Sequence, residues 1–273
     1  VRDIFGAKET TKILSYLMLV MGVAPIIAPV FGSIFLDFFH NWRSIFVFLS
    51  IFGFCLLIIS SKFVPQTQKA NPRQKMKYAC KKYKKILQDM NFLVPAITSA
   101  MVFSCIFSYI SGAPVIYLNY YQISHQSFSL IFAFNSIGFV IASQVNARLL
   151  KKYDVEVIVK NLLLVLLCNS IILLIFALFF HNIIILTALL FVNLSLCGAL
   201  LPNSAGLALS SQQRYSGSAS AMLGTIQFTI ASLVSFVVSK YNVGSVVPMS
   251  LIISFCVMIG FVVFVAKLKS DKL

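Results

Sequence analysis

The side chains with the most capacity for chemistry in this sequence are amides and phenols that interrupt long apolar runs. Tyr109, Asn135, Asn203 and Gln227 each lie within such a run. An amide can both donate and accept hydrogen bonds, and it does not require a charged partner. Inside a membrane, such a side chain needs a neighbouring helix or a cavity. These residues therefore predict either binding of a small uncharged group or hydrogen bonding between helices, and the sequence leaves both interpretations open.

The charged and nucleophilic residues do not form a catalytic pattern. No Asp, Glu, His, Lys or Arg lies inside an apolar run, and His40, His125 and His181 all fall between runs. A membrane enzyme would need an activated nucleophile, metal ligands or paired acids near one membrane face. The six cysteines lack the paired spacing that is typical of metal sites. We therefore expect no catalytic residues, no metal site and no cofactor, and we do not expect an enzyme.

Long apolar segments must position these side chains, because the composition is that of an integral membrane protein. Of the 273 residues, 59% are hydrophobic and only 11% are charged, whereas soluble domains carry about 25% charged residues. A membrane-crossing helix needs about 20 apolar residues. On that criterion the sequence predicts an all-α integral membrane protein with eight transmembrane helices, at 13–36, 44–61, 92–118, 127–147, 161–180, 183–209, 217–239 and 246–266.

The distribution of basic residues predicts the orientation of these spans. When the start of the chain is placed in the cytoplasm, all of the 22 Lys and Arg residues except Arg43 and Lys240 lie in cytoplasmic segments. Cytoplasmic loops of membrane proteins carry such an excess of Lys and Arg. We therefore expect both ends of the chain in the cytoplasm. The net charge of +15 reports topology, and no nucleic-acid partner is expected.

Three domains are predicted from the spacing of the spans. Residues 1–61 contain two spans, residues 62–91 form a basic cytoplasmic linker, and residues 92–273 contain six spans. In the linker, apolar residues recur at helical spacing from Met76 onward, which predicts a basic amphipathic helix on the inner membrane surface. The last six spans repeat a pattern of two polar spans and one apolar span. Repeats of three helices are typical of secondary transporters.

The first span combines helix-breaking residues with a stripe of small residues. Residues 17–35 read LMLVMGVAPIIAPVFGSIF. Ala24, Ala28 and Gly32 lie four residues apart, so they form one face on which another helix can pack closely. Pro25 and Pro29 each remove a backbone hydrogen bond, which membrane helices tolerate. This pattern fits a helix at the interface between two moving bundles, and it equally fits a structural kink.

Several segments resemble the Bcr/CflA drug-efflux subfamily of the major facilitator superfamily, whose members are drug/proton antiporters. The first span resembles the antiporter signature on the fifth helix of that family, with alanine where the general signature has glycine. The other segments that resemble the family are VRD at 1–3, NWRSIF at 41–46, YISGAPVIYLNYYQIS at 109–124, SLIFAFNSIGFVIASQVNARLL at 129–150, LLPNSAGLAL at 200–209 and GSASAMLGTIQF at 217–228. The resemblance implies a twelve-helix transporter of two six-helix halves. This chain would be N-terminally truncated, with spans equivalent to the fifth to twelfth helices.

The resemblance also implies a function. It predicts export of small drug-like molecules across a bacterial inner membrane, with bicyclomycin-like and chloramphenicol-like compounds as the suggested substrate classes. Proton antiport would use an acid on the first helix of the family, so protons are expected partners if the missing N-terminal helices are supplied. Two alternatives stay open: an inactive truncated remnant of such a transporter, and a major facilitator uptake carrier.

Three sets of residues are implicated by the resemblance. The set expected to line the substrate cavity is Tyr109, Ser111, Pro114, Tyr117, Asn135, Asn203 and Gln227. The set that matches the antiporter-type signature, with a role in helix packing, is Gly22, Ala24, Pro25, Ala28, Pro29 and Gly32. The set expected to act in gating is Gln144, Asn146, Arg148, Gly217 and Ser218. For the polar residues, hydrogen bonding between helices is the alternative role.

Overall fold

The computed structural model describes residues 31–32, 34–63, 76–212, 215–241 and 244–270, and these residues contain no β-strand. The helices are α1 (Arg43–Phe63), α2 (Met76–Gln88), α3 (Met90–Pro114), α4 (His125–Leu149), α5 (Val155–Phe179), α6 (Ile183–Ser210), α7 (Ser216–Tyr241) and α8 (Val247–Ser270). A π-helix at Val115–Tyr120 continues α3. Within the described residues, α1 and α3 to α8 are long and apolar enough to cross a membrane, which makes seven helices. The short helix α2 does not meet this criterion. The prediction of an all-α membrane protein is confirmed.

The predicted spans agree with these helices except at their ends. The first span, at 13–36, lies mostly outside the described residues, and each of the other seven has a matching helix. The largest difference is at α5, which begins at Val155 rather than at 161, so that Glu156 and Lys160 lie in its first turns. Lys267 and Lys269 likewise lie in the last turn of α8. Apolar runs mark only the hydrocarbon-embedded part of a helix, whereas long charged side chains at its ends reach the membrane surface.

The described residues form two units. The first unit contains residues 31–32, 34–63 and His125–Ala133. Within it, the rings of Phe35 and Phe48 lie 5.0 Å apart, and no side chain of α1 is buried. The second unit contains residues 76–124 and the described part of 134–270. The predicted domain boundaries near residues 61 and 91 stay a prediction.

In the second unit, α3 packs against three other helices, namely α6, α7 and α8. Its buried residues include Ala96, Ala100, Gly112 and Ala113. Small residues let helix backbones approach closely, which is the main source of packing energy between helices in lipid. The sequence of α3 therefore suits a central position among several neighbours.

The second unit also contains an outer helix, α5, which packs against α6 and α8. The sequence predicted this span as uniformly apolar, but Asn169 is largely buried and its amide nitrogen donates to the carbonyl of Leu189 on α6 at 3.2 Å. The hydroxyl of Ser254 on α8 donates to the carbonyl of Ser170 at 2.8 Å. These polar contacts hold α5 against its two neighbours, and its many exposed Leu, Ile and Val side chains form the opposite face.

The linker helix predicted from Met76 onward is present as α2, and it ends where Asp89 caps α3. The Asp89 backbone is extended, and its carboxylate accepts from the amide of Asn91 at 2.9 Å. Among the described side chains of α2, Ile86 is buried, and it joins a cluster with α3, α6 and α7 residues. Leu87, which belongs to the predicted apolar stripe, is 38% exposed. Ile86 of α2 therefore packs on the bundle, whereas Leu87 lies on the exposed side of the helix.

Candidate functional site

The regular structure of α3 is interrupted near one end. Pro114 closes the α-helical part, and its ring nitrogen has no hydrogen to donate to the preceding turn. The chain then continues as a π-helix, in which the amide of Tyr121 donates to the carbonyl of Ile116 at 2.9 Å, five residues back. Such π-helical turns are frequent at functional sites. The predicted cavity residue Pro114 therefore marks a break in the central helix of the second unit.

Two phenols, one on α3 and one on the π-helix that continues it, form hydrogen bonds with different helices. The hydroxyl of Tyr109 accepts from the amide of Asn135 on α4 at 2.9 Å. The hydroxyl of Tyr117 lies 2.8 Å from that of Thr187 on α6. All but Thr187 are fully or almost fully buried. The structure therefore brings together two of the predicted cavity residues, Tyr109 and Asn135, and gives Tyr117 a partner that the sequence analysis missed.

A second set of polar contacts joins α3 to α7. The amide of Gln227 donates to the hydroxyl of Ser99 at 2.8 Å. The hydroxyls of Ser111 and Ser235 lie 2.7 Å apart. Between these two contacts, Phe228 packs edge-on against the ring of Phe103, with the ring centres 5.1 Å apart. The predicted residues Ser111 and Gln227 therefore belong to one α3–α7 contact, and both are partly exposed.

The strongest polar contact between α4 and α6 is a reciprocal pair of amides. The nitrogen of Asn146 donates to the oxygen of Asn203 at 2.9 Å, and the nitrogen of Asn203 donates back at 2.8 Å. Both side chains are almost fully buried. Asn146 was predicted to act in gating and Asn203 to line a cavity, and the structure places them in a single pair.

The same two helices approach each other closely at glycines. A β-carbon on Gly198 of α6 would overlap the carbonyl oxygen of Phe139 on α4 and lie 3.0 Å from the α-carbon of Phe139. A β-carbon on Gly138 would lie 2.5 Å from the ring of Phe191. At Gly198 the obstacle is backbone, so a larger residue must move a helix, whereas at Gly138 the obstacles are the side chains of Phe191 and Ser195. Close approach at Gly138 and Gly198 is what allows the short amide contact of Asn146 and Asn203.

Two buried amides keep polar atoms without a partner. The oxygen of Asn135 and the nitrogen of Asn193 have no hydrogen-bond partner among the described residues, and both side chains are almost fully buried. A buried polar atom in this state costs about 1–3 kcal/mol. These atoms are therefore available to form a hydrogen bond with a water molecule or a polar ligand that enters the bundle. Asn193 was missed by the sequence analysis, although its amide in an apolar run is the same signal as that of Asn135.

An aromatic group lies just beyond the end of α3. The rings of Tyr120 and Tyr121 are 4.9 Å apart, and the ring of His181 is 6.3 Å from that of Tyr120. Burial is the main cause that raises the pKa of Tyr121 above its ordinary value, and the neighbouring Tyr120 raises it further. Tyr121 is therefore a neutral phenol at physiological pH. Aromatic side chains of this kind are enriched at membrane–water interfaces.

The remaining predicted residues are placed as follows. Gly22, Ala24, Pro25, Ala28 and Pro29 lie outside the described residues. Gly32 lies in a described helical stretch, and within the described part of the chain no atom comes within 4 Å of where a β-carbon would be. Among the gating residues, Gln144, Arg148 and Gly217 are exposed and Ser218 is half-buried.

The contact between Tyr109 and Asn135 can be tested by Tyr109→Phe. This change removes the phenol oxygen that accepts from Asn135, and we expect the free energy of unfolding to fall by about 0.6 kcal/mol, and by no more than about 1.7 kcal/mol, the average and the maximum for hydrogen bonds between membrane helices. The measurement is SDS-induced unfolding of the purified chain. Tyr153→Phe is the matched control, because Tyr153 is 58% exposed. Equal stability of the two variants would contradict the assigned contact.

Within the described residues, seven helices that can cross a membrane, one of them interrupted by a π-helical turn, define a multi-pass membrane protein. The family model described as Major Facilitator Superfamily matches residues 1–236. The chain therefore belongs to the major facilitator superfamily, and the predicted family is confirmed. Members of this family are transporters.

Individual relatives extend this finding. The chain is 29% identical over 267 residues to "Uncharacterized MFS-type transporter YdgK" of Bacillus subtilis. That alignment covers 97% of the chain and 66% of the relative. It is 22% identical over 268 residues to "Bicyclomycin resistance protein homolog" of Haemophilus influenzae. This second alignment covers 96% of the chain and 66% of that relative. It is also 26% identical over 157 residues to "Chloramphenicol resistance protein" of Pseudomonas aeruginosa, over 56% of the chain and 36% of that relative. The chain thus spans just under two thirds of the length of the first two proteins.

Proposed function

We propose that this chain is the greater part of an exporter of small drug-like molecules. The observation that carries the proposal is the alignment of 96% of the chain with a bicyclomycin resistance protein homolog, together with membership of the major facilitator superfamily. A shorter alignment with a chloramphenicol resistance protein supports the same substrate class. In this proposal, residues 92–273 form the second six-helix half of the transporter.

The predicted cavity residues differ in how they would meet a substrate. Ser111, Pro114 and Gln227 are partly exposed, so a substrate can contact them directly. Tyr109 and Asn135 are buried against each other, so a substrate reaches them only when α3 and α4 separate. A transporter alternates between two arrangements of its helices around one site. Exchange of this hydrogen bond for one with the substrate would couple binding to that motion.

The direction and energy source of transport are also part of the proposal. The distribution of basic residues supports an orientation with both ends in the cytoplasm of a bacterium. In the described residues, Asp37 lies in the short helical stretch before α1, Asp89 and Asp154 lie between helices, and Glu156 lies in the first turn of α5. The family resemblance assigns the proton-coupling acid to the first helix of a full-length transporter. We therefore propose that protons are exchanged through residues other than the described ones.

Drug accumulation in cells tests this proposal. The chain, expressed together with any coding sequence continuous with it, is placed in a bacterium that lacks its own drug pumps. We expect several-fold lower accumulation of labelled chloramphenicol and higher resistance to bicyclomycin than with an empty vector. A protonophore should abolish both effects. Gln227→Ala should change the relative resistance to the two compounds, whereas Gln126→Ala, at an exposed residue, should not.

Other outcomes of that experiment identify the alternatives. Higher accumulation than with the empty vector would indicate an uptake carrier and contradict export. Unchanged accumulation of both compounds, with the protein present in the membrane fraction, would contradict the proposed function.

A further inference from the structure

Two adjoining cavities lie at the end of the second unit where α3 and α5 begin and α6 and α8 end. The smaller has a volume of about 120 Å³ and is lined by Asn91, Pro95, Glu156, Leu207, Ser210, Ser211, Phe264, Lys267 and Leu268. The larger has a volume of about 260 Å³ and is lined by Glu156, Val157, Lys160, Asn161, Val265, Leu268 and Lys269. They share Glu156 and Leu268, so together they form one groove, which we call the α5–α8 groove.

The charges of the α5–α8 groove favour an anion. Its lining contains three cations, Lys160, Lys267 and Lys269, and one acid, Glu156. Glu156 and Lys160 lie four residues apart, and therefore on one face of α5. Among the described residues no other titratable side chain lines the groove, so these side chains give an excess of two positive charges. Basic pockets between membrane helices at the membrane surface bind anionic lipid head groups.

The apolar walls of the groove indicate that the anion is attached to a hydrocarbon chain. Val157 and Val265 line the larger cavity together with Leu268. Farther into the membrane, exposed Leu164 follows Val157 on α5 and exposed Val262 precedes Val265 on α8. These spacings of seven and three residues keep each pair on one face of its helix. A free inorganic anion would gain nothing from this apolar track.

The smaller cavity adds hydrogen-bond acceptors beside the cations. The hydroxyl of Ser210 donates to the carbonyl of Leu207 at 2.9 Å, and that of Ser211 donates to the carbonyl of Ala208 at 2.8 Å. Because both protons are used, each serine oxygen remains able to accept a hydrogen bond. A head group with hydroxyl groups next to its phosphate supplies the matching donors.

We infer that the α5–α8 groove binds an anionic phospholipid with a hydroxyl-bearing head group, such as phosphatidylglycerol. The phosphate lies between Lys160, Lys267 and Lys269, and an acyl chain follows the exposed apolar faces of α5 and α8. A bound lipid adds contacts at the ends of helices that already pack against one another. This inference concerns a site that is separate from the proposed drug cavity, and it does not depend on export.

Native mass spectrometry of the full chain in detergent tests the inference, with phosphatidylglycerol, phosphatidylcholine and inorganic phosphate as separate ligands. We expect tighter binding of phosphatidylglycerol than of either other ligand. Lys160→Gln/Lys269→Gln should weaken that binding on the order of tenfold. Lys151→Gln/Lys152→Gln is the matched control, because it removes two exposed charges that do not line the groove.

Three results would overturn the inference. These are equal losses of binding in the two double variants, equal binding of the two phospholipids, and binding of inorganic phosphate as tight as that of phosphatidylglycerol. The first would indicate general surface attraction, and the last a free-anion site. Both double variants should give the same size-exclusion profile as the unaltered chain. This control shows that a change in binding does not result from unfolding.

Discussion

Gly198→Ala is expected to separate α4 from α6 and to lower the free energy of unfolding by about 1–3 kcal/mol, the usual cost of overpacking. The added β-carbon meets the backbone of Phe139, not the movable end of a side chain. The helix axes must therefore shift, and that shift lengthens the amide contact of Asn146 and Asn203 as well. SDS-induced unfolding of the purified variant measures the loss.

Two further variants separate a backbone clash from a general effect of alanine. Gly206→Ala lies on the same helix with nothing within 4 Å of the new β-carbon, and it should leave stability unchanged or raise it by up to about 1 kcal/mol through helix propensity. Gly138→Ala meets the ring of Phe191, so Phe191→Ala should partly rescue it. No side-chain truncation should rescue Gly198→Ala. Equal stability of Gly198→Ala and Gly206→Ala would show that the close approach is wrong.

The spans could be predicted from sequence because membrane thickness imposes a length on every apolar segment. The run at 183–209 predicted α6 to within one residue, since Asn182 accepts from the first amides of the helix and fixes its start. The start of α5 could not be predicted in the same way. Glu156 and Lys160 break the apolar run without breaking the helix, because their charged ends reach the membrane surface.

The residue types of the candidate site could be predicted from the sequence, but the hydrogen-bond partner of each residue could not. An amide in an apolar run is visible in the sequence, and Asn135 and Asn203 were identified in this way, whereas Asn146 was implicated by the family resemblance. The partner of Asn146 lies 57 residues away, and its choice depends on how α4 and α6 are rotated. That rotation is decided by Gly138 and Gly198, whose importance appears only when both helices are seen together. The separate roles predicted for Asn146 and Asn203 reflect that missing information.

Serine and threonine partners left no signal in the sequence. Thr187, which meets Tyr117, also donates to the carbonyl of Ile183 in its own helix at 2.8 Å. Many Ser and Thr side chains in membrane helices satisfy their hydroxyl in this local way. Residue type therefore does not distinguish a hydroxyl that joins two helices, such as those of Thr187 and Ser235, from one that bonds only within its helix.

Asn203→Leu is expected to be among the most destabilising single substitutions of an amide in this chain. It removes both hydrogen bonds of the reciprocal pair and leaves Asn146 buried, with a donor and an acceptor unpaired. An unsatisfied buried polar group costs about 1–3 kcal/mol. Asn119→Leu is the matched control, because Asn119 is exposed, and we expect little change in its free energy of unfolding.

The double variant Asn146→Leu/Asn203→Leu distinguishes loss of a useful contact from burial of an orphaned amide. Replacing both partners by apolar groups can be nearly neutral, so the double variant should be more stable than Asn203→Leu alone. The coupling between the two amides in the double-mutant cycle should therefore exceed the cost of Asn146→Leu alone, about 1–3 kcal/mol. Additive effects of the two single substitutions would mean that the amides do not bond to each other in the membrane. If stability recovers in the double variant but drug export does not, the pair serves the movement of α4 against α6 and not the strength of the fold.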